Sequence, residues 1–374
     1  MINKKYNVTA QVLTPLSIGQ GAEKDWVYGI DYLTKEDEYG NLWLYHLDLN
    51  KMVTAGVDIN RLTSLFVQGK PQDIKNLVGT KLEKVSDCKM RLPVSSVEVE
   101  KALSNPIKTF LRNQLTGRPV LAGSSLKGAL RSILFTYLRT KGEQDNESVF
   151  GKMNDGTDFM RFIRVGDFEF EETCLVNTKI FNLHRVGQEW EGGWKHSGNN
   201  TTSDFAPIGF NTIYECLLPN AVAQGAIMFA DTLFDQIPQQ LYFTKKRELM
   251  KGNDAIEKLC EIVKDATFDY LNKELDFFTE YWQGSNSTKI RDAINAVMDE
   301  IDNCNSNECI LKMSVGSGFH SITGDWQYTD YTETSGHYLN RKQGGELPKS
   351  RKIAVSSIKP FSLMGFAKLT FNKI

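Results

Sequence analysis

The run Val120-Leu-Ala-Gly-Ser-Ser-Leu-Lys-Gly-Ala-Leu-Arg-Ser-Ile-Leu-Phe-Thr-Tyr-Leu138 constrains this chain more than any other stretch. A short apolar run turns at Gly123, and Ser124 or Ser125 stands where a helix N-cap is expected. Leu126, Leu130, Ile133, Leu134, Tyr137 and Leu138 then recur at the i, i+4, i+7, i+8 spacing of a helix packed on a core. Lys127 and Arg131 lie one turn apart on a different face, near the helix start. A helix N-terminus already carries partial positive charge, so a cation there typically loses ~0.3–1 kcal/mol. Unpaired amides and two cations together suit an anion, most simply a phosphate.

The surroundings strengthen this reading. Lys101 to Gly142 contains no Asp or Glu but eight basic residues: Lys101, Lys108, Arg112, Arg118, Lys127, Arg131, Arg139 and Lys141. The whole chain has a formal charge of -2 and a pI near 6.3, so its charge is segregated and any polyanion site is local. A solvated helix face is the plainer alternative for such a run. The 374 residues allow two or three domains at roughly 150 residues each. Six cysteines lie far apart except Cys304 and Cys309, which lack the second pair a structural zinc needs. Met1 to Asn7 shows no secretory pattern, so reduced thiols in the cytoplasm are expected. No apolar run approaches the ~18 residues of a membrane span. No cofactor and no metal are implied.

Taken in order, Asn7–Thr14 alternates as a half-buried strand and stops at Pro15, before Gly19 and Gly21. Asp25–Leu33 and Leu42–Leu47 read as a hairpin turning at Tyr39-Gly-Asn41, and residues 48–90 read as helical. Residues 143–172 reverse the charge, with nine acids against three basic residues. Strands are expected at Phe162–Asp167, Tyr214–Leu218, Ala226–Ala230, Cys309–Val315 and Phe366–Phe371. Residues 182–206 read as a long loop, functional or mobile. An acidic helical region spans about 254–302, and its outer face should avoid nucleic acid or meet a protein. The tail 341–374 holds eight basic residues and one acid, Glu346. Strands and helices in two similar halves indicate two α+β domains, each a sheet with helices on one face.

The chemistry narrows further. Gly123–Gly128 is not a phosphate-binding P-loop, because Ala129 follows where Ser or Thr is required. Ser124 and Lys127 match Ser-x-x-Lys spacing, without the companion motifs of a Ser-Lys hydrolase. Metal-free RNA cleavage needs a positioned base, and no motif places His46, His184, His196, His320 or His337. RNA binding through the backbone fits best. Glycines at 19, 21, 123, 316 and 318 permit close approach, and cations neutralise phosphates. Trp190, Trp194, Phe319 and Trp326 are candidates for base stacking, with core packing as the alternative.

Ala122-Gly-Ser-Ser-Leu-Lys-Gly-Ala-Leu-Arg131 resembles the "pGSSLKGalR" signature of the RAMP superfamily, the RNA-binding subunits of CRISPR effector complexes. Leu13-Thr-Pro-Leu-Ser-Ile-Gly-Gln-Gly21 resembles that family's "TPLhIGsG" loop. Val315-Gly-Ser-Gly-Phe319 and Met364–Leu369 fall where the family has later glycine segments, the last keeping only Gly365. Segment order, length and Pro348-Lys-Ser-Arg-Lys352 are most similar to the fifth Csm subunits of type III-A systems. The resemblance implies an α+β fold of two ferredoxin-like (RRM-like) domains with helical and loop insertions. These are residues 1–168, with inserted helices, and 169–374, with the acidic insertion. It further implies a non-catalytic subunit that caps the 3′ end of crRNA and supports its maturation. Expected partners are crRNA, a neighbouring backbone RAMP subunit and the small subunit, with target RNA met indirectly. The candidate RNA-binding residues are Gly19, Gly21, Gly123, Ser124, Ser125, Lys127 and Arg131, then Gly316, Gly318, His320, Lys349, Arg351 and Lys352. In the family's RNA-cutting backbone subunit a loop aspartate acts. Asp25 is nearest in position here, but no motif assigns it. A metal-independent endoribonuclease that processes repeat RNA and a protein-only assembly subunit are the alternatives.

Overall fold

The computed structural model describes residues 3–94, 103–140, 142–187, 189–196, 201–202, 204–205, 209–236, 244–251, 254–284, 286–313, 315–316, 318–326, 349–356 and 361–374. Its centre is a five-stranded antiparallel sheet. The strand order is Glu308–Lys312, Phe366–Lys373, Lys4–Val12, Val222–Phe229 and Ile163–Val165. The opening strand is central because Tyr6, Val8, Ala10 and Val12 alternate into the core. Val8 stands opposite Gly225 on one side and Phe371 on the other.

The helix Gly123–Leu138, here the central helix, buries Leu126, Leu130, Leu134, Phe135 and Leu138 against this sheet's core cluster. Each such side chain contributes roughly 1.5–3 kcal/mol on burial. The helix Ala255–Tyr281, here the long helix, adds Leu259, Cys260 and Val263 to the same cluster.

A second, six-stranded sheet is built on Thr173–Val186. Asn211–Leu217 and Glu189–Lys195 pair with its first and last parts, and Ser350–Ser356 with its middle. The stretch expected as a loop from 182 is therefore a hairpin through Lys195. Gly192 hides its periodicity: a Cβ there would lie 2.4 Å from the Tyr281 carbonyl and 2.5 Å from the Phe181 ring. Trp194 is fully buried against Phe181 and Trp282, a core residue and not a base-stacking platform.

A third sheet, Tyr32–Glu36, Leu42–Leu47 and Ser86–Arg91, carries three short helices, Leu49–Thr54, Ile59–Gln68 and Pro71–Val78. They enclose a core of their own around Leu33, Met52, Leu62 and Ile74. Ser86–Arg91 was expected as helix. It is a strand because the preceding helices return it to the free edge of Leu42–Leu47.

The class is α+β and ferredoxin-like, with helical and loop insertions. The border expected at residue 168 does not separate the sheets. The opening strand pairs with 222–229 and 366–373, long-range partners that local pattern does not encode. No helix among the described residues is long and apolar enough to cross a membrane.

Candidate nucleic-acid interface

The central helix starts one residue earlier than expected. Ala122 is its N-cap and makes no side-chain capping bond, so Ser124 and Ser125 lie inside the first turn. Asp167, absent from the sequence-based set, supplies the anion. The Gly123 N–H donates to its Oδ1 at 2.7 Å, a carboxylate placed at the positive end of the helix. Gly123 serves protein packing and not ligand approach. A Cβ on it would stand 2.3 Å from the Val165 carbonyl oxygen and 2.6 Å from that of Gly166.

Lys127 and Arg131 have different fates. Arg131 pairs with Asp158 at 3.2 Å, donates to Asn146 Oδ1 at 3.3 Å and lies 4.5 Å over the Phe150 ring. It ties the helix to the acidic segment that follows it. Lys127 makes no hydrogen bond or ion pair with the described residues. Burial holds its ammonium below the usual lysine range; Asp158 opposes this, while Arg131 and Arg164 reinforce it. One carboxylate thus faces three cations, leaving net positive charge beside the exposed Ser124 and Gly128.

A second basic cluster forms where distant glycine loops meet. The Val315 N–H donates to the Ser17 carbonyl at 3.2 Å. Gly316 follows at φ +76°, a conformation that favours glycine, and a Cβ there would lie 3.4 Å from Lys352 Cβ. Lys352 donates to the Tyr214 hydroxyl, its ammonium 4.5 Å from that ring's centre. Tyr214 bridges Lys108, whose backbone bonds Ile213 and Glu215. Burial lowers the Lys352 pKa, and the charge of Lys108 lowers it further. Lys108 in turn pairs with Asp25, and Gln20 donates to Thr109 at 2.9 Å. Gly19 is exposed, with open space where a side chain would be. Gly19, Gly21, Lys108, Tyr214, Gly316 and Lys352 therefore converge. Lys108 was visible only as part of the basic run, because no sequence pattern marks the bridge that brings it to Tyr214.

Other candidates lie elsewhere. Arg351 points to the opposite face from Lys352, as strand alternation demands. Its side chain is 4% exposed, bonded to Glu274 at 2.7 Å and 3.7 Å over Phe277. His320, also 4% exposed, holds Asp325 through Nδ1 at 2.6 Å, and Lys273 meets the same carboxylate. Gly318, at φ +73°, begins the loop that carries His320. Lys349 stacks 4.3 Å over Trp190. Trp326 packs beneath Arg139, at 4.6 Å. Lys101, Lys141, His337 and Glu346 lie outside the described residues.

Lys312 was missed altogether, since nothing in a strand pattern marks a lysine that folds inward. Its ammonium donates to the Met364 carbonyl at 2.6 Å and lies over the Tyr270 and Phe366 rings. Burial pushes its pKa down to about 8, against an opposing pull from Glu274. Because the folded value is below the unfolded one, the buried charge is a full cost below about pH 8. Stability then rises with pH towards 10.5, as the unfolded chain binds more protons. Relative to Lys312→Met, the parent should gain about 3 kcal/mol between pH 7 and 10.5 in urea denaturation. A constant difference between the two would mean that Lys312 is solvated.

The sequence profile of the RAMP superfamily matches residues 9–317. A chain from the cryo-EM structure of a Csm-crRNA-target RNA ternary complex of a type III-A CRISPR-Cas system is similar in fold. Its TM-score is 0.65 at 17% identity, covering 98% of this chain and 100% of that one. The crystal structure of T. onnurineus Csm5 is similar with a TM-score of 0.57 and 17% identity, over 96% and 99% of the two chains. No curated protein matches in sequence.

Proposed function

The chain belongs to the RAMP superfamily, and on that premise we propose that it is a non-catalytic crRNA-binding subunit of a type III-A Csm complex. In this reading it caps the crRNA 3′ end and supports crRNA maturation in antiviral defence. Its partners are crRNA, a backbone RAMP subunit and the small subunit, with target RNA met indirectly. The observation that carries the reading is the convergence of the Gly19–Gly21 loop, Lys108, Gly316 and Lys352. It presents open backbone beside cations, as a phosphate chain requires. Likeness to chains of Csm assemblies supports the choice of complex.

Co-expression with the genomic neighbours and a repeat-spacer array tests this. Small RNAs of defined length with repeat-derived 5′ ends should co-purify. A complex that assembles free of RNA would instead favour a protein-only subunit, its basic block meeting an acidic partner.

Within the bound state, Lys127→Ala with Lys352→Ala should flatten the slope of log K against log salt by about 1.4, two single-strand phosphate contacts. An unchanged slope would remove both lysines from the interface. Arg131→Ala should act mainly on stability, because it breaks the Asp158 pair.

A metal-independent endoribonuclease has one observation in its favour, the orientation of His320 by Asp325. Repeat RNA cut without metal by the parent and left intact by His320→Ala would establish it.

A further inference from the structure

A cavity of about 430 Å³ lies between the central helix and the long helix, within the ~300–1,000 Å³ of small-ligand sites. Tyr137, near the end of the central helix, stands close enough to Lys258 to act on its charge. At the other end, Ser132 Oγ is 3.1 Å from Thr323 Oγ1, on the loop that closes the cavity.

The lining changes along this length. Ile133, Tyr137 and Ile262 make one end apolar and aromatic. Further along the long helix, Asp265 and Asp269 stand one turn apart on the exposed rim. Beyond them Lys312 and Tyr270 line the far end, beside the Lys273–Asp325–His320 group. Cation, carboxylates and apolar wall thus follow the order of phosphate, ribose and base in a nucleotide.

We propose that this cavity receives the 3′-terminal ribonucleoside unit of an RNA strand, its phosphate towards Lys312, its 2′- and 3′-hydroxyls on Asp265 and Asp269, and its base against Ile133, Tyr137 and Ile262. The assignment rests on the RNA-binding reading above. An internal nucleotide carries a phosphate on its 3′-oxygen, which would face two carboxylates and be repelled. A free end presents only hydroxyls there, and hydroxyls donate to carboxylates. The 2′-hydroxyl also separates RNA from DNA. Lys312 has no carboxylate within ion-pair distance among the described residues. A phosphate would supply the missing charge. The cavity is reached from the candidate interface along the loop from Gly316, beside Lys352, to Asp325.

The test is a fluorescence-polarisation titration of the full chain with one short single-stranded RNA made with three ends. These are a 3′-hydroxyl, a 3′-phosphate and a 2′,3′-dideoxynucleotide. The 3′-hydroxyl end should bind roughly 10- to 100-fold more tightly than either, the worth of hydrogen bonds to charged groups. Asp265→Asn with Asp269→Asn, both on the exposed rim, should shrink that preference without harming the fold. Ile133→Trp, which fills the apolar end, should abolish it. Equal affinity for all three ends, with Lys127→Ala still weakening each, overturns the cavity assignment and leaves RNA binding in place. A preference untouched by the Asp265 and Asp269 variants overturns it equally. Failure of the parent to bind any probe overturns both readings.

Discussion

Arg351→Ala should destabilise the chain by about 3–5 kcal/mol, the usual consequence of removing one partner of a buried ion pair. Arg351 and Glu274 are 4% and 1% exposed, joined at 2.7 Å, and the guanidinium lies 3.7 Å over Phe277. The substitution leaves the Glu274 carboxylate inside the protein without its cation and opens a void against the ring. A fall in the urea midpoint of the isolated chain is the measurement. Replacing both partners together, Arg351→Met with Glu274→Leu, should recover most of the loss, because an apolar pair of similar volume needs no charge compensation. If Arg351→Ala were as stable as the parent and only RNA binding fell, the arginine would belong to the interface instead.

Gly123→Ala should cost roughly 3 kcal/mol, the upper end for overpacking a filled site. The added methyl would meet two backbone oxygens, at 2.3 and 2.6 Å, and neither can rotate away as a side-chain end would. The central helix would have to move off the Ile163–Val165 strand, stretching the Gly123–Asp167 bond as it did so. Thermal unfolding of the free chain should show this without any RNA present. Gly128→Ala supplies the contrast. That glycine is exposed with nothing within 4 Å of a Cβ, so helix propensity alone should stabilise by up to ~1 kcal/mol.

These two glycines, five residues apart in one motif, show how far the sequence could be read. The leucine stripe announced the helix and its buried face, and Leu126, Leu130 and Leu134 are fully buried as the spacing requires. The basic run announced a local positive field. Neither told Gly123 from Gly128, because the difference lies in the Val165–Gly166 backbone, some forty residues away. The same limit governed the cations. Arg131 and Lys127 sit one turn apart, yet Asp158 neutralises only the first by an ion pair.

What the sequence by itself determined were the features written in neighbouring residues. These are the alternation of the opening strand, the strand-turn-helix around Gly123, the acidic helices and the motifs shared with the RAMP superfamily. Tertiary structure alone decided the strand order of the central sheet and the meeting of the Ser17–Gly21 and Val315–Gly316 segments. It also decided the inward turn of Lys312 and Arg351. Secondary structure follows side-chain periodicity over a few residues. An ion pair between residues 77 positions apart, such as Glu274 and Arg351, exists only once the chain has brought them together. Which lysines remain for a phosphate is therefore settled by what the rest of the fold has already neutralised.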